Sequence, residues 1–196
     1  MIPFPDKKYN IIYADPPWQY HLWKVSHSMP HSKREVRMAS AFYNTMSTEE
    51  ICNLPVQQIA DKECMLFMWV TNPLLPDGLK VIEAWGFKYL TVAFVWVKIN
   101  PGSTRKLKLG LGYYTRPNAE VCLLAKKRTV RPINRSINQV HHSRVGKHSE
   151  KPGLFRDQIV KLLGDKPRIE LFARHKINGW DQWGNQVPLY NIMDFC

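Results

Sequence analysis

Five short runs of mainly apolar residues punctuate the chain: Ile11–Ala14, Met65–Val70, Val92–Val97, Val121–Ala125 and Ile169–Ala173. Runs of four to six such residues, bounded by turn formers, read as buried strands. The segments between them carry helical signals. Ser47-Thr48-Glu49-Glu50 has the Ser-x-x-Glu spacing of a capping box, which predicts a helix from Thr48. Pro55 should end it early, with a short turn running on to Ala60. Leu79 to Trp85 reads as a second helix closed by Gly86. Leu154 to Leu163 reads as a third, with Phe155, Ile159, Leu162 and Leu163 inward and Gly164 beyond its end. Strands alternating with helices predict an α/β domain: a mainly parallel sheet with helices on both faces.

Three stretches break this rhythm: residues 19–41, polar and His-rich, 102–114, and 129–147. Long irregular segments in a compact domain usually serve function, so these are expected to be basic, substrate-gripping loops around a single domain spanning 1–196. Charge supports this. The chain carries 28 Lys and Arg against 16 Asp and Glu, a net charge of +12. Between Lys98 and Lys151 stand 13 of the bases but only two acids, Glu120 and Glu150. Charge gathered in one segment suits a phosphate backbone better than a generally basic surface does. Four widely spaced cysteines form no Cys-x-x-Cys pair, which argues against a zinc site or disulfide framework and fits a reducing compartment. His141-His142 with His148 lacks a carboxylate or thiol at ligand spacing, so no metal is expected. No apolar leader or membrane-length run occurs, and the expected location is the cytoplasm, nucleoid-associated or as a phage product, with no membrane partner.

The candidate chemistry starts at Asp15-Pro16-Pro17-Trp18, directly after the first strand. Ligands of open α/β sheets bind at carboxyl ends of strands. An ionised Asp only accepts hydrogen bonds, and a Pro-Pro pair offers carbonyls without competing N–H groups. Asp15 and the Pro16 carbonyl can therefore take the two hydrogens of an exocyclic amine, while Pro17 stiffens the turn and Trp18 supplies a face for a flat base. Base–aromatic stacking contributes about 1–3 kcal/mol. The plainer alternative is a strand-end turn with a packed Trp and a solvated Asp.

Two further groups lie late in the chain. Strand Ile169–Ala173 ends at Arg174, and Gly184-Asn185-Gln186 follows in a polar loop. Together they offer a cation for a carboxylate and amides for ribose hydroxyls. His148-Ser149-Glu150-Lys151-Pro152 precedes the third helix, where an anionic ligand group can meet free N–H groups. Taken singly, Lys151 and Arg174 fit ordinary surface cations as well.

The ordered blocks YADPPW, FYNTMSTEEICNLPV, LFMWVTN, WGFKYLTVAFVWVK, AEVCLLAKK, HSEKP and IELFARHKINGWDQWGNQV resemble the MT-A70 family of adenine N(6)-methyltransferases across Tyr9 to Val187. The resemblance implies a Rossmann-like methyltransferase fold in permuted order, with the catalytic strand first and the elements for S-adenosylmethionine last. By motif position it implies that Asp15, Pro16, Pro17 and Trp18 bind and activate the adenine amine. It likewise implies that Lys151, Arg174, Asn185 and Gln186 hold the cofactor, with Tyr43 in a gate over the site. In longer relatives an acidic residue upstream of DPPW touches the cofactor adenine. Only 14 residues precede Asp15, so that contact is expected to be missing or supplied elsewhere. The relatives' Asn after the Arg of the LFAR block has only Asn178 as a candidate match.

The expected reaction is methyl transfer from S-adenosylmethionine to the 6-amino group of adenine, in DNA rather than RNA because the chain carries its own basic segment. The same reaction on RNA, cytosine N(4)-methylation and a binding-only pseudo-methyltransferase are the alternatives. The residues leave the target sequence and the oligomeric state, monomer or homodimer, open.

Overall fold

A computed structural model describes residues 2–19, 45–110, 114–128, 130–146 and 150–185. Seven strands form one sheet: β1 (Tyr9–Ala14), β2 (Ala60–Val70), β3 (Lys88–Ile99), β4 (Ala119–Lys126), β5 (Val140–Arg144), β6 (Arg168–Leu171) and β7 (Asp181–Trp183). Three helices accompany them: α1 (Thr48–Cys52), α2 (Leu75–Ala84) and α3 (Leu154–Leu163). The strand order is β5-β3-β4-β2-β1-β6-β7. β4 runs antiparallel to both its neighbours and every other neighbouring pair is parallel. The carboxyl ends of six strands therefore lie along one edge.

Each of the five apolar runs lies within or overlaps a strand, and two strands arise where no run exists. β5, with sequence VHHSR, lies within the 129–147 stretch expected to be irregular. As an edge strand it pairs with β3 alone and alternates exposed with half-buried positions, so it needs no apolar run. β7 has only three residues and is held by parallel pairing to β6. β2 begins five residues before its apolar run, at Ala60, because its first turn of backbone pairs with Tyr9 while Asp61 to Glu63 stay polar.

α1 starts where the capping box places it: the Ser47 hydroxyl accepts from the Glu50 N–H, and the Glu50 carboxylate accepts from the Ser47 N–H at 2.7 Å. Pro55 then diverts the chain into a single 3-10 turn, Val56–Gln58. α2 begins at Leu75, earlier than expected, because Pro76 suits a first helical turn.

Side chains alternate across the sheet and build two cores. Ile12, Leu66, Met68 and Leu123 face α1 and α2, where Ile51, Val81, Ile82 and Trp85 close the layer. Tyr13, Phe67, Trp69, Phe94 and Cys122 face α3 through Phe155, Ile159 and Leu163. Within this second core Arg156 of α3 grips Glu170 of β6 through Nε–Oε2 at 2.6 Å and Nη2–Oε1 at 2.8 Å. The guanidinium lies 5.8 Å from the Tyr13 ring centroid. Burial foremost pushes the Tyr13 phenol well above its usual range, so it stays a neutral acceptor for the Trp69 indole N–H at 2.7 Å. Among the described residues no helix is long and apolar enough to cross a membrane.

Removing one partner of a buried ion pair strands the other charge, at a cost of about 3–5 kcal/mol. Glu170→Gln is therefore expected to lower the unfolding free energy by that amount, read from equilibrium unfolding as a lower urea midpoint at unchanged m-value.

Candidate active site

β1 lies at the point where the strand order reverses: the chain leaves it towards β2 on one side and returns through α3 to β6 on the other. Crevices of this kind are where open α/β sheets bind ligands. Asp15 emerges there, directly after β1, because Pro16 can donate nothing to a continued ladder. The Pro16 carbonyl accepts the Trp18 N–H at 2.9 Å and the Pro17 carbonyl accepts the Met46 N–H at 2.8 Å. A tight turn braced against the entry to α1 results. Pro16 keeps a second lone pair for an incoming donor.

Trp18 differs from its expected part as an open stacking face. It is 6% exposed, belongs to the core beneath α1, and donates its indole N–H to the Trp69 carbonyl at 3.1 Å. A large apolar ring beside a strand end is drawn into the core, and its one polar atom finds a backbone acceptor. Its role in this arrangement is to clamp the Asp15 turn onto β2.

Beside Asp15 stands a partner 136 residues away. Lys151 Nζ donates to Asp15 Oδ1 at 2.7 Å and lies 3.2 Å from Glu120 Oε2. Lys98 pairs with the other Glu120 oxygen. Asp15, Lys151, Glu120 and Lys98 thus form a row of alternating charge. Its side chains are 20%, 8%, 12% and 21% exposed, too buried for any member to stand without its neighbours. The ammonium of Lys151 also lies 5.5 Å from the Trp69 ring centroid, and that of Lys98 5.1 Å from the Trp96 ring. Burial opposes the Lys151 charge, but the carboxylates of Asp15 and Glu120 outweigh it and raise the ammonium above the usual lysine range. Burial likewise opposes the Glu120 charge, but Lys151 and Lys98 prevail and hold the carboxyl below its usual range.

Glu120 and Lys98 were missed by sequence reasoning. The available signal was an acid opening an apolar strand, one of two acids in an otherwise basic segment. Lys151 was expected among cofactor ligands, and the structure brings its ammonium onto Asp15 itself.

The remaining residues fall on the neighbouring strand ends. Phe172 follows β6 with φ 61°, a left-handed backbone that a bulky residue adopts only under constraint. Ala173 donates its N–H to the Trp183 carbonyl at 3.1 Å, tying the end of β6 to the end of β7. Gly184 lies so close that an added Cβ would sit 2.6 Å from the Ala173 carbonyl oxygen. Only glycine lets this loop lie against β6. Arg174 is half-buried and Asn185 exposed at this same edge. A cation, an amide and bare loop backbone along the sheet edge that bears Asp15 suit a ligand carrying a carboxylate and ribose hydroxyls, so the residues present fit S-adenosylmethionine. Tyr43 and Gln186 lie outside the described residues, as does the stretch 20–44.

The charge row fixes a pH dependence. A carboxyl lowered by folding contributes stability that is present above its unfolded value and is lost as pH falls through its folded one. Glu120→Gln is expected to flatten the loss of stability that the protein shows below about pH 4.5, the ordinary glutamate value. Urea unfolding of both proteins between pH 3 and pH 7 checks it; parallel curves would refute the linkage.

The sequence signature of the MT-A70 family matches residues 9–186. The chain is 38% identical over 196 residues to a Mycoplasma protein named type II methyltransferase M.MunI, covering 94% of this chain and 80% of that one. It is 29% identical over 191 residues to a Medicago truncatula protein named putative N(6)-adenosine-methyltransferase MT-A70-like, covering 95% of this chain and 28% of that one. It is 26% identical over 202 residues to human METTL4, named an N(6)-adenine-specific methyltransferase, covering 96% of this chain and 39% of that one. The chain thus spans most of the Mycoplasma relative but well under half of the two longer ones. The sheet with helices on both faces is a Rossmann-like methyltransferase fold. From the DPPW turn to the Gly184 loop, the chain belongs to the MT-A70 family of adenine methyltransferases.

Proposed function

We propose that this protein transfers the methyl group of S-adenosylmethionine to the 6-amino group of adenine in DNA, with Asp15 receiving the amine. The observation that carries this reading is the Lys151–Asp15 contact of 2.7 Å at the switch point of the sheet. It fixes a carboxylate beside the strand ends that bear Arg174 and Asn185. Names of the relatives agree with it: one is a type II methyltransferase, another adenine-specific at N(6).

The neutral amine of adenine is a weak nucleophile, because its lone pair is shared with the ring. Asp15 Oδ2 and the free lone pair of the Pro16 carbonyl accept its two hydrogens and turn the nitrogen towards the methyl donor. Lys151 holds Oδ1 and keeps the carboxylate oriented, while Glu120 and Lys98 keep Lys151 charged and in place. When bound, S-adenosylmethionine supplies an electrophilic methyl group on a sulfonium. As the nitrogen takes the methyl and gains positive charge, with sulfur leaving as a neutral thioether, the carboxylate of Asp15 stabilises it and then accepts its surplus proton for release to solvent, so no strong base is needed beforehand. Most of the acceleration comes from holding the reacting atoms in line. Arg174 and Asn185 hold the cofactor's carboxylate and ribose, and the base reaches Asp15 flipped out of the duplex.

The surface around the crevice suits DNA. The connection after β3 rises from the same sheet edge and folds back on itself, with Lys108 donating its N–H to the Lys98 carbonyl and Gly110 donating to Pro117. Arg105, Lys106, Lys108 and Arg116 are exposed on it, and exposed Arg144 ties β5 to it through the Ser103 carbonyl at 3.3 Å.

Asp15→Ala is expected to abolish N(6)-methyladenine while binding S-adenosylmethionine near normally, read by nucleoside mass spectrometry and calorimetry. Full activity in that variant would sink the assignment, and faster turnover on RNA than on DNA would move the substrate to RNA. Replacing Lys106 and Lys108 by Ala should weaken DNA binding evenly across sequences and reduce the salt slope of log K by about 2, since each phosphate contact contributes about 0.9. An unchanged slope would place the phosphate contacts elsewhere.

A further inference from the structure

Three buried side-chain polar atoms among the described residues have no hydrogen-bond partner: Thr71 Oγ1, Ser143 Oγ and Arg168 Nε. The first belongs beside the charge row. β2 ends at Val70, paired with Val121 of β4, so continuing that register sets Thr71 opposite Glu120. Trp69 packs in the core facing α3 and Val70 in the opposite core. The backbone at Thr71 is still extended, with φ −84° and ψ 147°, so alternation returns its side chain to the face of Trp69. That is the face on which Lys151 meets Asp15 and Glu120. On the other flank, parallel register aligns Ala14 with Met68, which puts Asp15 one strand across and one pleat below Thr71.

A buried hydroxyl without a partner is a standing cost to the fold. Glu120 is its neighbour across the ladder, with its oxygens turned to Lys98 and Lys151, and the hydroxyl makes no hydrogen bond to it. Nor does the hydroxyl serve as a cap, although Thr71 opens a 3-10 turn.

We propose that the Thr71 hydroxyl is a base-reading group, donating to the ring nitrogen next to the amine that Asp15 receives. The proposal rests on the function given above and specifies which edge of the base the site reads. Strands lie about 4.8 Å apart and one pleat spans about 6.6 Å, so the two backbones stand roughly 8 Å apart and side chains leaning towards each other can reach adjacent atoms of one ring. An ionised Asp can only accept, and a hydroxyl beside it can donate. The pair therefore demands a base edge with a donor amine next to an acceptor nitrogen. Adenine and cytosine present that edge. Guanine offers a carbonyl beside an N–H there, and thymine does the same. Thr71 thus excludes two of the four bases, and pocket size must separate the other two.

The test pairs deletion of the hydroxyl with deletion of its proposed partner atom. Thr71→Val keeps the shape and removes the hydroxyl, whereas Thr71→Ser keeps the hydroxyl. Thr71→Val is expected to lower kcat/KM for DNA about 5- to 10-fold, the scale of one lost hydrogen bond, with Thr71→Ser close to wild type. Substituting 1-deazaadenine at the methylated position should slow the wild type by a similar factor and leave Thr71→Val no slower than it is on adenine. Thermal unfolding should show Thr71→Val at least as stable as wild type, because it loses a group that has no partner. A lower melting temperature would make the hydroxyl structural, and equal discrimination against 1-deazaadenine by both proteins would remove the contact; either overturns the proposal. If the wild type forms no N(6)-methyladenine, the function reading fails. Anisotropy with oligo(dA) and its 1-deaza counterpart then decides this inference: a preference for oligo(dA) in wild type but not in Thr71→Val upholds it, and any other pattern overturns it.

Discussion

The ammonium of Lys151 between Asp15 and Glu120 is the contact on which the crevice depends. Bringing several ions out of water costs several kcal/mol for each, and only their mutual attraction at short range offsets it. Here the signs alternate through four side chains on four separate elements, β1, the entry to α3, β4 and β3. No member can be moved without stranding another. Two halves of the chain, the DPPW turn and the approach to α3, are thereby locked together at one point.

Other parts of the fold serve that lock. Arg156 and Glu170 pin the first turn of α3 to β6 five residues beyond Lys151, so the helix cannot slide and carry the lysine away. Trp18, buried and hydrogen-bonded to β2, holds the turn that presents Asp15. Gly184 allows the β7 loop to close on the end of β6, completing the crevice from the other side. Stability is placed at the floor and walls, while one strained residue, Phe172, and one unpartnered hydroxyl, that of Thr71, lie at the strand ends around it. Such a division is usual where structure is held ready for a ligand.

Much of the frame was legible in the residues. Apolar runs located the central strands, because a strand buried on both faces has to be apolar along its length. The Ser47–Glu50 spacing located α1 to the residue, because capping is local chemistry. Edge strands were not legible: β5 reads as VHHSR and β7 as three residues, and both exist only because a neighbour supplies their hydrogen bonds. DPPW singled out Asp15, which β1 carries to the switch point of the sheet, but the motif did not foretell that Trp18 is buried. Whether a ring faces a ligand or the core depends on what packs above it, and α1 takes that place.

By itself the sequence determined the class of fold, the family, the first strand with its carboxylate, and the gathering of positive charge into one segment. These follow from local pattern and composition, which folding cannot alter. Tertiary structure decided the rest: that Lys151 meets Asp15, that Glu120 and Lys98 complete the row, and that Thr71 is left without a partner beside it. Each of these depends on register between strands far apart in the chain. A shift of one residue would turn every such side chain to the opposite face.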